Sequence, residues 1–160
     1  MTNKYRAGDS QVDKLIVLGL GLLGASICAA AKKLGLANEI IGISRRQSTI
    51  EIAHAKEIIN KSSDSLTTLA GNFGEDDLLI LAVPTLAMKS VLSECQENVP
   101  PSVTITDVAS VKTKIIEFAE QVYGDIPKNF VPGHPIAGSE KSGINAVNPD
   151  LFKNDKVVLT

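Results

Sequence analysis

The sequence predicts an α/β protein, a doubly wound and mostly parallel sheet with helices on both faces. Two features point to it. Short aliphatic runs alternate along the chain with segments of helical periodicity, the order that buries a parallel sheet between helices. The runs at residues 14–18, 77–83 and 103–107 are nearly continuous in Val, Ile and Leu, as strands covered on both faces are. At 160 residues the chain has the size of one domain, and such a domain buries roughly 70 % of its unfolded surface.

In chain order, residues 1–13 are a polar extension and the domain runs over residues 14–160. A first strand at residues 14–18 leads into a helix, in which Leu23, Ile27, Ala30 and Leu34 follow at steps of four, three and four. Residues 39–43 form the second strand. Ser48 and Glu51 then make an S/T-x-x-E capping box that starts a helix through residues 49–59. Residues 60–77 are polar and contain two glycines, leaving room for a short strand and a one-turn helix. Strands follow at residues 77–83, 103–107 and 129–131. Pro84 suits the first turn of the helix between the first two of these, and Val111, Ile115, Phe118 and Val122 mark the helix after the second. A last strand is expected at residues 156–159, and Thr160 follows it with no cap or polar tail, so the chain reads as the front piece of a longer protein.

Hydrophobic residues make up 44 % of the chain and charged ones 21 %, with a net charge of -2. This balance offers no electrostatic footprint for nucleic acid or an anionic membrane. The polar start lacks the apolar run of a secretory signal, and no segment approaches the ~20 apolar residues of a membrane span. Cys28 and Cys95 lie far apart, without the spacing of a zinc or redox site, and read as core residues in a reducing compartment. The expectation is a cytoplasmic protein with no metal, nucleic-acid or membrane partner.

The segment "GLGLLG", Gly19 to Gly24, follows the first strand and opens a helix. A GxGxxG pattern in that context is the dinucleotide-binding turn of a Rossmann fold. Gly19 permits the tight turn, Gly21 lets the backbone approach a pyrophosphate, and Gly24 lets the helix pack close to the strand. Leu22 and Leu23 complete the candidate contacts, because a pyrophosphate rests on the free N–H groups of such a helix start. An NAD site commonly carries Asp or Glu about 20 residues further on. Here Ser44 stands in that place, followed by Arg45 and Arg46, with Ser48 and Thr49 at the next helix start. Two guanidiniums and hydroxyls match the oxygens of a dianionic 2′-phosphate, which favours NADP. The alternative is a solvated basic turn.

Ligands of such folds lie beyond the carboxyl ends of the strands. The loops to inspect are therefore "AVPT", "DVASVK" and "VPGHPIAGSEKSG". Val83 and Pro84 form an apolar wall for a nicotinamide, and Ala109 is a further candidate contact. Ser110 is either an N-cap for the helix beginning at Val111 or a hydroxyl facing the crevice. His134 lies in a glycine- and proline-rich stretch that suits neither helix nor regular strand. Pro135 pushes it towards extended angles, and an imidazole with an ordinary pKa near 6.5 is a usable base at neutral pH. His54, inside the second helix, is assigned no chemistry.

"GLGLLGASI", "SRRQST", "DVASVK" and above all "GHPIAGSEKSGINAVNPDLF" resemble the prephenate and arogenate dehydrogenases of tyrosine biosynthesis, and the likeness runs from Lys14 onwards. "SRRQST" with "DVASVK" looks most like the NADP-using arogenate dehydrogenases. The resemblance implies oxidative decarboxylation of arogenate or prephenate, with His134 accepting the proton or hydrogen bond of the ring hydroxyl and Ser110 bonding near that hydroxyl and helping to orient His134. It implies a homodimer built through a C-terminal helical domain that this chain lacks, and hence weak or no turnover by these residues alone. Ser139, Glu140 and Lys141 match the family loop, and the resemblance implies no more for them than lining the crevice. Two other readings share the same front half. One is a different two-domain reductase whose base lies in a later domain, and the other is a non-catalytic NADP-binding module.

Overall fold

A computed structural model describes residues 12–137 and 142–160. Its main sheet contains β1 (Val12–Leu18), β2 (Ala37–Ile43), β3 (Lys61–Ser63), β4 (Leu78–Leu81), β5 (Thr104–Asp107) and β6 (Phe130–Val131). These six strands are all parallel, in the order β3-β2-β1-β4-β5-β6. The order reverses beside β1, which is the Rossmann arrangement. The helices are α1 (Leu22–Leu34), α2 (Gln47–Ala55), α3 (Thr85–Asn98) and α4 (Lys112–Tyr123). The polar stretch after α2 yields β3 and a single 3-10 turn at Thr67–Leu69.

Strand residues alternate between two cores. Leu15, Val17, Ile40 and Ile80 pack with Ala25, Cys28 and Ala53 beneath α1 and α2. Ile16, Leu18, Ile41, Leu79 and Leu81 pack with Met88, Leu92 and Ile115 beneath α3 and α4. Leu15 to Leu18 are therefore all buried, as the aliphatic run requires. β5 departs from that pattern. Val103 and Ile105 are buried whereas Thr104 is exposed, and Thr106 turns its hydroxyl to the Val131 carbonyl at 2.7 Å. Burial pushes the thiols of Cys28 and Cys95 up to about 12, which makes them inert core groups.

Three local expectations change. The buried face of α1 is the row of small residues Gly24, Ala25, Cys28, Ala29 and Ala31. Leu23, Ile27 and Ala30 lie at its margin, and Leu34 is 57 % exposed. Small side chains let the helix rest directly on the sheet, so the larger residues flank the contact. The capping box on α2 is not formed. The helix begins at Gln47 with Arg46 at the N-cap and no side-chain cap, which places Ser48 inside the first turn. Pro84 stands one residue before α3, at its N-cap, where it has no N–H to satisfy.

The last strand also differs. Gly133–Pro135 forms a strand, β7, and Val157–Leu159 forms β8; the two make a separate antiparallel pair. His134 thus occupies a ladder position opposite Val158. Proline at the next position favours the extended backbone that the ladder needs, and the pairing itself is supplied from 24 residues downstream. Between these strands the chain crosses to the α1/α2 face. Ile144 is buried there, the Asn148 N–H donates to Ser26 Oγ at 3.0 Å, and Lys33 pairs with Asp150 at 2.8 Å. No helix among the described residues is long and apolar enough to cross a membrane.

Candidate functional site

Parallel strands in register bring their following loops to one edge. Leu18 pairs with Leu81, and Leu81 with Asp107. The Ala82 N–H donates to the Leu18 carbonyl at 2.8 Å and the Val108 N–H to the Leu81 carbonyl at 3.3 Å. The glycine turn, the Ala82–Pro84 loop and the Val108–Val111 loop therefore emerge side by side. β6 and β7 carry His134 to the same edge, next to β5.

The turn after β1 is shaped by backbone contact. Gly19 has φ +101°, and a Cβ there would strike the Ala82 carbonyl; a Cβ on Gly24 would strike the Gly19 carbonyl. Both positions demand glycine, one through its angle and both through space. At Gly21, by contrast, an added Cβ meets nothing within 4 Å. Gly21 is the N-cap of α1, with no side-chain cap. The helix thus presents uncapped first-turn N–H groups beneath an open approach, a ready anion site. Leu22 and Leu23 are half-buried in that turn. Val83 lies against Gly19, its Cγ1 only 3.2 Å from where a Cβ would stand, while Pro84 is exposed.

At the end of β2, Ser44 Oγ accepts a hydrogen bond from the Arg46 N–H at 3.2 Å, and the Ser44 N–H donates to the Ser63 carbonyl at 3.2 Å. Arg45, Arg46 and Ser48 are exposed and Thr49 is half-buried. Since no side chain caps α2, its first-turn N–H groups lie at the end of β2 beside the sequence positions of Ser44, Arg45, Arg46 and Ser48. The failure of the expected capping box leaves more donors there.

Ser110 is exposed and does not cap α4; the N-cap is Val111, and the helix starts at Lys112. The reason lies at Asp107, whose Oδ2 accepts the Ala109 N–H at 2.9 Å and makes the turn at the end of β5 itself. The Ser110 hydroxyl is left for another partner. It makes no hydrogen bond to the His134 ring. Ala109 is half-buried against the α3/α4 core. His134 is half-buried, and its Nδ1 is a buried polar atom without a hydrogen-bond partner among the described residues. A buried ring nitrogen left without a partner costs about 1–3 kcal/mol, so this position favours a further hydrogen-bonding group. Ser139, Glu140 and Lys141 lie outside the described residues.

Reading by motif missed Asp107, Lys112 and Gly133. Asp107 and Lys112 form a buried ion pair, and both bond Gly133, the residue before His134. An Asp ending a strand signals a turn, but its partner 26 residues away does not show in local sequence.

Comparison with known proteins agrees with this fold. Residues 27–160 match the family model "Prephenate dehydrogenase, nucleotide-binding domain". The chain is 38 % identical to a prephenate dehydrogenase of Lactococcus lactis over 148 residues, which is 92 % of this chain and 40 % of that protein. Among solved structures, Synechocystis arogenate dehydrogenase is 34 % identical with a TM-score of 0.78, over 92 % of this chain and 49 % of that one. Aquifex aeolicus prephenate dehydrogenase, solved in complex with hydroxyphenyl propionate and NAD+, is 28 % identical with a TM-score of 0.84, over 95 % of this chain and 51 % of that one. The chain therefore spans about half the length of the solved relatives and less of the curated one. The match over residues 27–160, which carries the sheet from β2 onwards and the His134 strand, together with 38 % identity over 92 % of the chain, places this chain in the prephenate dehydrogenase family.

Proposed function

We propose that this chain is the cofactor-binding part of an NADP-dependent enzyme that oxidatively decarboxylates arogenate or prephenate, giving tyrosine or 4-hydroxyphenylpyruvate. The observation that carries the reading is the juxtaposition at one sheet edge of an uncapped glycine turn and a half-buried imidazole whose Nδ1 has no partner among the described residues. The dinucleotide, when bound, supplies the acceptor for the hydride that leaves the hydroxyl-bearing ring carbon. Everything else falls to the protein's own groups. Gly19, Gly21, Leu22, Leu23 and Gly24 hold the pyrophosphate by backbone N–H groups. Ser44, Arg45, Arg46, Ser48 and Thr49 hold the 2′-phosphate. Val83, Pro84 and Ala109 wall the nicotinamide.

His134 accepts the hydrogen bond or proton of the ring hydroxyl as the hydride departs, and the Ser110 hydroxyl bonds near the same oxygen. Loss of carbon dioxide leaves an aromatic ring, which supplies much of the driving force, so alignment is the protein's main task. The proposal includes a homodimer and substrate-carboxylate contacts made outside these residues, in a cytoplasmic setting; that the chain spans about half of its solved relatives supports the first part. Initial rates of the complete encoded protein with arogenate and prephenate, each with NADP and NAD, test the proposal. The expected ranking places NADP at least about 10-fold above NAD in kcat/KM. Equal use of the two cofactors removes the 2′-phosphate assignment, and no turnover of either substrate removes the activity.

A further inference from the structure

We propose that the buried Asp107–Lys112 ion pair is a positioning device that sets both Ser110 and His134, taking the place of a neighbouring strand along β7. The inference rests on the reading of those two residues as the catalytic pair. The Asp107 side chain is fully buried and that of Lys112 is 13 % exposed. The carboxylate accepts the Ala109 N–H at 2.9 Å, immediately before Ser110, and the Gly133 N–H at 3.2 Å, immediately before His134. The Lys112 ammonium donates to the same carboxylate and, at 2.6 Å, to the Gly133 carbonyl. Both backbone polar groups of Gly133, its N–H and its C=O, are thus taken by one ion pair.

β7 explains why these groups are free to be taken. The Ile136 N–H donates to the Lys156 carbonyl at 2.8 Å and the Thr160 N–H to the Pro132 carbonyl at 3.1 Å. Antiparallel alternation then makes His134 and Val158 a bonded pair and turns the N–H and C=O of Gly133 away from β8. On that far edge no described strand pairs with β7, and the groups that meet Gly133 are the Asp107 and Lys112 side chains at the end of β5 and the start of α4. The approach is close as well: a Cβ on Gly133 would lie 3.0 Å from the Asp107 carbonyl oxygen and from Thr106 Oγ1. β8 holds His134 from one side and the ion pair holds its neighbour from the other.

A buried pair of this kind is weak as a source of stability, since well-packed apolar residues often serve as well. What it supplies here is direction. One carboxylate fixes the loop carrying the hydroxyl and the strand carrying the imidazole with respect to each other. Misplacement of reacting groups by about 1 Å can cost 100-fold in rate.

The test is Lys112→Met in the complete encoded protein. The expected result is a fall in kcat of about 100-fold, with KM and NADP affinity within about 3-fold of wild type, and a displaced ring signal of His134 in histidine-labelled NMR spectra beside an unmoved signal of His54. Lys112→Arg, which keeps charge and donors, should recover at least about 10-fold of the loss. Should Lys112→Met not fold, Lys112→Gln is judged by the same kinetic and spectral criteria. A kcat within about 2-fold of wild type, in an enzyme that His134→Asn inactivates, overturns the proposal, as does an unchanged His134 ring signal. If His134→Asn instead retains full turnover, the catalytic reading fails, and the ring signal alone still decides whether the pair positions the histidine.

Discussion

A His134→Asn variant of the complete encoded protein is expected to turn over arogenate or prephenate about 1,000-fold more slowly than wild type, with NADP affinity within about 3-fold. Asparagine retains the ability to donate and accept hydrogen bonds but cannot take up a proton near neutral pH. The loss therefore isolates proton acceptance from simple filling of space. His134 belongs to β7 through backbone pairing with β8 and through the flanking Gly133 and Pro135, so the fold has no need of the imidazole. The proposed pyrophosphate and 2′-phosphate contacts lie at the turn after β1 and the end of β2, on other loops. Steady-state kinetics together with fluorescence titration of NADP separate the two effects. Equal losses in turnover and affinity would mean that the ring belongs to the nucleotide site.

Ser44→Asp carries the second large effect, on cofactor choice. Ser44 Oγ already accepts the Arg46 N–H, and an aspartate oxygen can accept the same bond, so the turn between β2 and α2 survives. The new charge then stands where a 2′-phosphate is proposed to bind. Two unit charges about 4 Å apart near a protein surface interact by roughly 4 kcal/mol. Arg45 and Arg46 are exposed, and salt screening trims this to about 2–3 kcal/mol. The expected outcome is a loss of roughly 30–150-fold in kcat/KM with NADP, and a gain with NAD because the carboxylate can hold a ribose 2′-hydroxyl. The ratio of the two specificity constants is the readout. An unchanged ratio would return Arg45 and Arg46 to the status of a solvated turn.

The sheet and the glycine turn were legible because each depends on neighbours in sequence. Leu15 to Leu18 advertise a strand buried on both faces, and Gly19, Gly21 and Gly24 announce the turn by their spacing, although the crowding at Gly19 comes from the distant Ala82 carbonyl. The polar stretch after α2 was legible only as room for short elements, which is what β3 and the following 3-10 turn occupy. Errors arose where long-range packing decided. The large side chains of α1 suggested its buried face, but the sheet selects the small ones, since Gly24, Ala25 and Cys28 permit contact that Leu23 and Ile27 would hold apart. Ser48 and Ser110 each stood at a plausible cap position. Both helices instead start with no side-chain cap, because Arg46 precedes α2 in extended conformation and Asp107 makes the turn before α4. His134 was placed in an irregular loop because its partner strand lies 24 residues downstream. The Asp107–Lys112 pair was invisible for the same reason: its consequence falls on Gly133, a residue that sequence alone sets in a different motif.

One cleft must hold both the hydride acceptor and the imidazole, and a crystal structure of the complete encoded protein with NADP bound measures this directly. The nicotinamide C4 should lie within roughly 7 Å of a His134 ring nitrogen, the span of one hydride contact, one C–O bond and one hydrogen bond. A nicotinamide seated on the far side of β1, or a His134 ring turned to bulk solvent with the cofactor in place, would contradict the account.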